Sequence, residues 1–144
     1  MRISSKGKYG LMIMIDLAHF GADKPVPLTQ VAKRQDVSLN YLEQLAIKLK
    51  KAGLLKSIKG PGGGYVLGKE AKDITAYEML QCLESDLSVA SADEKQEGIM
   101  RMLKSQLWDE LDARNQEFLK GVTLADLEKE YPEEFSEDYF MYYI

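Results

Sequence analysis

Between Ser57 and Glu70 the chain reads SIKGPGGGYVLGKE, and glycines packed beside lysines are the first place to look for phosphate chemistry. GGYVLGKE follows the phosphate-loop pattern G-x-x-x-x-G-K-[ST] up to its last position. There Glu70 stands where a magnesium-binding hydroxyl is needed, and β-prone residues fill the loop whose amides should line a phosphate. A dinucleotide G-x-G-x-x-G begun at Gly60 also fails, because Tyr65 occupies the last glycine position and a strand pattern follows instead of a helix. Two other residues have chemistry to offer, Cys82 and His19. The chain's single cysteine cannot form an internal disulfide or hold a metal alone, and Cys82 lies beside Leu80 and Leu83 as a packed hydrophobe would, with a redox thiol as the alternative. His19 has no neighbours in the sequence to complete a metal site and is expected to be structural. With no nucleophile paired to a base, no metal set and no intact phosphate loop, the chain is expected to be no enzyme.

The remaining chemistry is recognition. Asn40, Gln44, Lys48 and Lys51 recur at helical spacing, with Tyr41 and Glu43 flanking them. Asn and Gln match adenine edges, Lys matches guanine or phosphate, and Glu accepts from cytosine while repelling phosphate. A face of this kind can also be merely solvated. Its setting decides the matter. The segment LTQVAKRQDVSLNYLEQLAIKLKKAG places Leu28, Val31 and Ala32 on one helix face, breaks at Asp36 to Ser38, and resumes with Leu42, Leu45, Ala46 and Leu49 at i, i+3, i+4, i+7. Two helices joined by a tight turn are predicted, over about 28–52, with Ser38 capping the second and Gly53 ending it.

LLKSI and YVL flank the glycines as two short strands, so the stretch from about 54 to 68 is predicted to be a hairpin. Taken alone it is an ordinary glycine-rich turn. Directly after a helix-turn-helix it becomes a wing, with Gly62 and Gly63 at a tip able to approach another backbone and Lys56 and Lys59 supplying charge.

Upstream, YGLMIMIDLAHFGA, Tyr9 to Ala22, is a helix expected to stop at Gly21. Downstream, TAYE, Thr75 to Glu78, is a capping box opening a helix that ends near Ser85. SDLSVASADEKQEG is a connector. Met100, Leu103, Leu107, Leu111 and Phe118, with Trp108 beside them, predict one long amphipathic helix over about 95–121, more than a small domain needs, and therefore an intersubunit helix. TLADLEKEY adds a short capped helix, and SEDYFMYYI closes the chain.

Charge divides along the same line. In residues 1–72, thirteen Lys and Arg against five Asp and Glu leave +8, so the chain's total of −4 puts −12 on residues 73–144. A polyanion partner for the front half alone is implied. No stretch is apolar enough to span a bilayer, and the start MRISSKGKYGLMIMIDLAHF lacks the features of a secretory leader, so a cytoplasmic address is expected. The fold class predicted is mainly α with a small β-hairpin wing. Residues 1–72 form a winged helix-turn-helix, and 73–144 an effector and dimerisation region.

The segments MRISSKGKYGLMIMIDLA, SLNYLEQLAIKLKKAGLLKSIKGPGGGYVLGKEAKDITAYEML and LWDELDARNQEFLKGVTLADL resemble the Rrf-two family of bacterial winged-helix repressors, over nearly the whole chain. The resemblance implies a homodimer crossed through its long helices, binding imperfect palindromes in double-stranded DNA. By position it places Ser38, Asn40, Tyr41, Glu43 and Gln44 in the recognition helix, and Lys59 where a wing-tip residue enters the minor groove. That residue is often Arg, and Lys lacks the planar fork suited to a narrow groove. With Lys6, Lys48, Lys51, Lys56, Gly62 and Gly63, these make up the expected DNA-binding set. Family members that hold an iron–sulfur cluster carry C-x5-C-x5-C-x2-H before the tryptophan of the long helix. Counted back from Trp108, those places hold Ala90, Gln96, Met102 and Ser105, so no cofactor is expected. The members that repress cysteine metabolism also lack the ligand set and share an aromatic ending before a terminal isoleucine. What is implied of them is control by cysteine synthase, whose active site accepts an isoleucine-ended tail. Tyr142, Tyr143 and Ile144 then become candidate docking residues, with packing on the dimer as the plainer reading. A redox-responsive or small-molecule-responsive repressor, acting through Cys82 or a ligand pocket, and a protein-interaction adaptor are the alternatives.

Overall fold

The computed structural model of the chain describes residues 1–90 and 97–132. The first helix, α1, runs Ser5–Phe20, one turn earlier than its apolar pattern indicates, and Gly21 closes it with an N–H donated to Leu17. The earlier start has a visible cause. Both the backbone N–H and the hydroxyl of Ser4 donate to Glu84 Oε1 at 2.9 Å, so a side chain from eighty residues away secures the first turn.

Helices α2 (Leu28–Gln35) and α3 (Leu39–Lys51) follow, joined through Asp36 in the left-handed region at φ 53. Ser38 caps α3 as predicted, accepting from the Tyr41 N–H at 3.5 Å. At the other end Gly53, at φ +79, donates to the Lys50 carbonyl and Leu54 donates to that of Leu49, a Schellman closure whose apolar pair is Leu49 and Leu54.

Strands β1 (Leu55–Ile58) and β2 (Gly64–Leu67) pair antiparallel, Leu55 opposite Leu67 and Ile58 opposite Gly64. A bridge from Val26 to Tyr65 adds a one-residue third strand, fixing the hairpin to the segment before α2. After a 3-10 turn at Ala71–Asp73 comes α4 (Ala76–Leu83). Thr75 caps it by accepting from the Glu78 N–H at 3.1 Å, but the expected reciprocal half is missing: the Glu78 carboxylate pairs with Lys69 at 2.8 Å instead. The complete capping box lies at Thr123 and Asp126, opening the short helix α7 (Leu124–Lys129).

The long amphipathic segment is described from Gly98 to Gly121 as α5 (Gly98–Leu103), a π-helical turn (Lys104–Trp108) and α6 (Asp109–Gly121). The predicted uniform helix is therefore widened at its middle. Thr75 and Thr123 form an isolated bridge that brings the N-terminal caps of α4 and α7 together, while α7 itself packs on α1 and the 3-10 turn. Ile13, Leu17, Val31, Leu42, Leu45, Leu49, Met79, Leu83 and Leu124 consequently share one buried core. Among the described residues no helix is long and apolar enough to cross a membrane.

Candidate nucleic-acid interface

α3 presents two faces. Leu42, Leu45, Ala46 and Leu49 are fully buried against α1 and α4, which fixes the helix's rotation and turns Asn40, Glu43, Gln44, Lys48 and Lys51 outward. Burying those apolar side chains is worth about 1.5–3 kcal/mol for each leucine, so the exposed face is held rigidly by the core behind it. Tyr41 is half-buried, its ring edge-on to Tyr9 at 5.8 Å, which ties the start of α3 to α1.

The hairpin stands at the other end of the helix. Lys50 Nζ donates to Ser57 Oγ at 2.8 Å, linking the last turn of α3 to β1. Beyond the strands, Gly60 to Gly63 close a turn through the Gly63 N–H and the Gly60 carbonyl at 2.9 Å. Pro61 occupies the second position and Gly62, at φ +75, the third: a type II turn, whose third position requires left-handed backbone. Lys56, Lys59 and Gly62 are exposed there, while Gly63 is half-buried. The predicted wing residues thus sit together on one hairpin, adjoining the outward face of α3.

Lys6, exposed on the first turn of α1, shares a recess of about 470 Å³ with Ser4, Tyr41, Lys48, Cys82 and Glu84. α1, α3 and the end of α4 therefore meet where three of the predicted DNA-binding residues lie. Cys82 is half-buried and its Sγ donates to the Met79 carbonyl at 3.2 Å. Burial pushes its thiol up, opposed by smaller effects of a backbone hydrogen bond and of Lys48. A thiol raised in this way is a poor nucleophile at neutral pH.

His19 also acts in packing. Its Nδ1 lies 2.8 Å from Glu128 Oε1, and its ring stacks on Tyr131 at 4.1 Å. Below it, the buried Asp16 accepts from Arg34 Nη2 at 2.7 Å, Arg34 Nε at 3.1 Å and Gln35 Nε2 at 3.0 Å. The same Gln35 amide reaches the Tyr131 hydroxyl at 3.3 Å. This network joins α1 and α2 to Tyr131, just beyond α7, and sequence reading missed it. A lone acid inside the apolar run MIMIDLAHF was the available signal, since such a group needs a partner.

Of the expected dimerisation residues, Met100, Leu107, Leu111 and Phe118 are exposed, Phe118 at 70 %, whereas Leu103 and Trp108 are half-buried. Ile99 and Met102 extend the same exposed apolar surface. At the positions of the family's cluster ligands, Ala90 has no donor atom, Met102 offers only an exposed thioether, and the Ser105 hydroxyl donates to the Met102 carbonyl at 3.1 Å. Among the described residues no three His, Cys, Asp or Glu side chains converge as a metal site. Gln96, Tyr142, Tyr143 and Ile144 lie outside the described residues.

Known proteins share this fold. The family model described as Rrf2, iron-dependent transcriptional regulator, matches residues 3–130. The chain belongs to the Rrf2 (Rrf-two) family. It is 41 % identical to the HTH-type transcriptional regulator IscR of Photobacterium profundum over 129 residues, covering 88 % of this chain and 75 % of that protein. The structure of CymR (YrzC), the global cysteine regulator of B. subtilis, superposes with a TM-score of 0.78 at 40 % identity, over 92 % of this chain and 99 % of that one. T. potens IscR superposes at 0.73 with 38 % identity, over 99 % and 97 %. This Rrf2 protein is accordingly a DNA-binding transcriptional regulator with a winged-helix fold, and not an enzyme.

Proposed function

We propose that the chain is a homodimeric repressor of cysteine and sulfur metabolism genes that works without an iron–sulfur cluster. In this reading residues 1–72 bind DNA and residues 73–144 dimerise and receive the signal, in the cytoplasm. The observation that carries it is the outward face of α3, polar and cationic, standing beside a hairpin whose Lys56 and Lys59 are exposed. Two such helices in a twofold dimer would enter successive major grooves roughly 34 Å apart, with the Lys59 tips reaching the flanking minor grooves. Lys6 and Lys48 would hold phosphates, while Asn40, Glu43 and Gln44 read base edges.

Dimerisation is supported by the exposed apolar surface along α5 and α6, which a lone chain would leave wet. Freedom from a cluster is supported by the donor set at Ala90, Met102 and Ser105, which offers no thiolate or imidazole. Likeness to a global cysteine regulator over nearly all of both chains supports the gene class. The raised Cys82 thiol argues against a redox signal at that residue. For the signal we propose cysteine synthase, with Ile144 entering the enzyme's active site and Tyr142 and Tyr143 packing at the mouth.

The test is fluorescence anisotropy on a labelled duplex from upstream of a cysteine-uptake or cysteine-synthesis operon, titrated with protein alone and with cysteine synthase, with and without O-acetylserine. The proposal expects tighter binding with the enzyme, reversed by O-acetylserine and lost on deleting Ile144. Binding indifferent to the enzyme would remove the partner and leave the DNA reading standing.

A further inference from the structure

α3 carries one exposed large hydrophobic side chain. Ile47 is 62 % exposed, whereas Leu42, Leu45, Ala46 and Leu49 are at most 1 % exposed. It lies one turn beyond Glu43 and Gln44 and one turn before Lys51, in the middle of the outward polar face. Nothing in its position serves the fold. A β-branched residue on an exposed helix surface gives up part of the helix propensity that Ala or Lys would supply there, and with most of its surface in water it gains little burial in return.

Resting on the reading that α3 enters the major groove, we propose that Ile47 is a specificity-determining residue that packs on the 5-methyl group of a thymine. The chemistry of the groove admits one good partner for such a side chain. Phosphates and the nitrogen and oxygen edges of the bases demand hydrogen bonds, and the thymine methyl is the apolar feature exposed there. Lys48, Lys50 and Lys51, beside and beyond Ile47, favour a polyanion over a protein partner, and a single aliphatic side chain is too small a patch to hold one. Seven residues separate Ile47 from Asn40, about 10 Å along the helix, so their bases lie roughly three steps apart. Ile47 would then read the methyl group itself, a feature that the polar residues of α3 cannot detect by hydrogen bonding.

The experiment uses duplexes that the full chain enriches from a randomised library. Each thymine is replaced singly by deoxyuridine, which removes only the methyl, and binding is compared between the wild type and Ile47→Ala. The proposal expects one thymine per half-site whose replacement weakens the wild type about three- to tenfold and the I47A variant less than about twofold. I47A should lose about the same factor on the unmodified duplex, and Ile47→Val should recover most of it. Thermal unfolding of I47A should match the wild type or lie slightly above it, because the site is exposed and Ala favours helix. Equal deoxyuridine penalties in wild type and I47A at every thymine would overturn the proposal. So would an I47A that binds the unmodified duplex like the wild type. Failure of the wild type to enrich any duplex would overturn both the proposal and the groove reading beneath it.

Discussion

Asp16 shows what a buried charge requires in this protein. Its side chain has no exposure, and three donors from Arg34 and Gln35 surround it. Arg34 also lies 4.0 Å above the Phe20 ring, so its position is set from two sides. Replacing Arg34 by Met would leave the carboxylate without its cation and is expected to cost about 3–5 kcal/mol in urea unfolding. A loss below about 1 kcal/mol would show that the pair contributes little. At Cys82, burial raises the thiol, so less thiolate forms at neutral pH than on a free cysteine. Iodoacetamide should therefore label native Cys82 more slowly than an unstructured cysteine peptide at pH 7.5, with the rate climbing only as pH rises beyond the ordinary cysteine range. Mass spectrometry of timed aliquots checks this, and labelling faster than the peptide would restore the thiol to the list of candidate sensors. The two residues differ in how far sequence reading reaches. Cys82 beside Leu80 and Leu83 was legible as packing because its neighbours share its helix. The partners of Asp16 come from α2, and no local pattern pairs them.

Among the elements, α3 was the most legible, because a core stripe at i, i+3, i+4, i+7 determines its opposite face as well. That same logic hid Ile47, since an apolar residue next to Ala46 is easily counted with the core. The hairpin was legible through its glycines, but its third strand at Val26 was not, because a single bridging residue leaves no alternation to detect. Gly62 is the residue whose backbone the turn most constrains. Gly62→Ala would place a side chain at φ +75, a strain of roughly 1–2 kcal/mol localised in the tip. The expected result is weaker DNA binding with global unfolding stability lowered by no more than that strain, since the tip contributes no core residue. α7 gives a pH prediction. Hydrogen bonds from the Thr123 backbone and then its hydroxyl hold Asp126 below the ordinary carboxylate range. A depressed carboxylate stabilises the fold at pH above its unfolded value, and that contribution disappears as pH falls through the folded value. The difference in Tm between wild type and Asp126→Asn should therefore be present at pH 7 and vanish in acid. A difference independent of pH would contradict the capping box.

For the whole molecule, the division of charge and the division of labour coincide only in part. The basic front half carries the proposed DNA-binding face, yet Met79, Leu83 and Leu124 share a core with α1 and α3. Glu84 additionally secures the N-terminal turn of α1, next to Lys6. A change in the region after α4 therefore has a short route to the proposed DNA contacts, without crossing a flexible joint. The exposed apolar surface from Ile99 to Phe118 needs a cover, and in the dimer reading a second copy supplies it. Leu107→Glu should shift sedimentation from dimer to monomer and weaken binding to a palindrome far more than to a single half-site. The amphipathy of this segment was legible from spacing; its π turn was not, because Lys104–Trp108 obeys the same hydrophobic pattern that a regular helix would.

The claim on which everything else depends is that α3 and the hairpin grip duplex DNA. The most direct measurement is the salt dependence of anisotropy binding on an enriched duplex, for wild type, Gln44→Ala and Lys59→Ala. The account predicts a steep loss of affinity with salt for the wild type. Lys59→Ala should show a slope smaller by about one for each subunit's cation withdrawn from the minor groove, and Gln44→Ala an unchanged slope with relaxed preference at one base position. Three proteins with the same affinity, slope and base preference would contradict it.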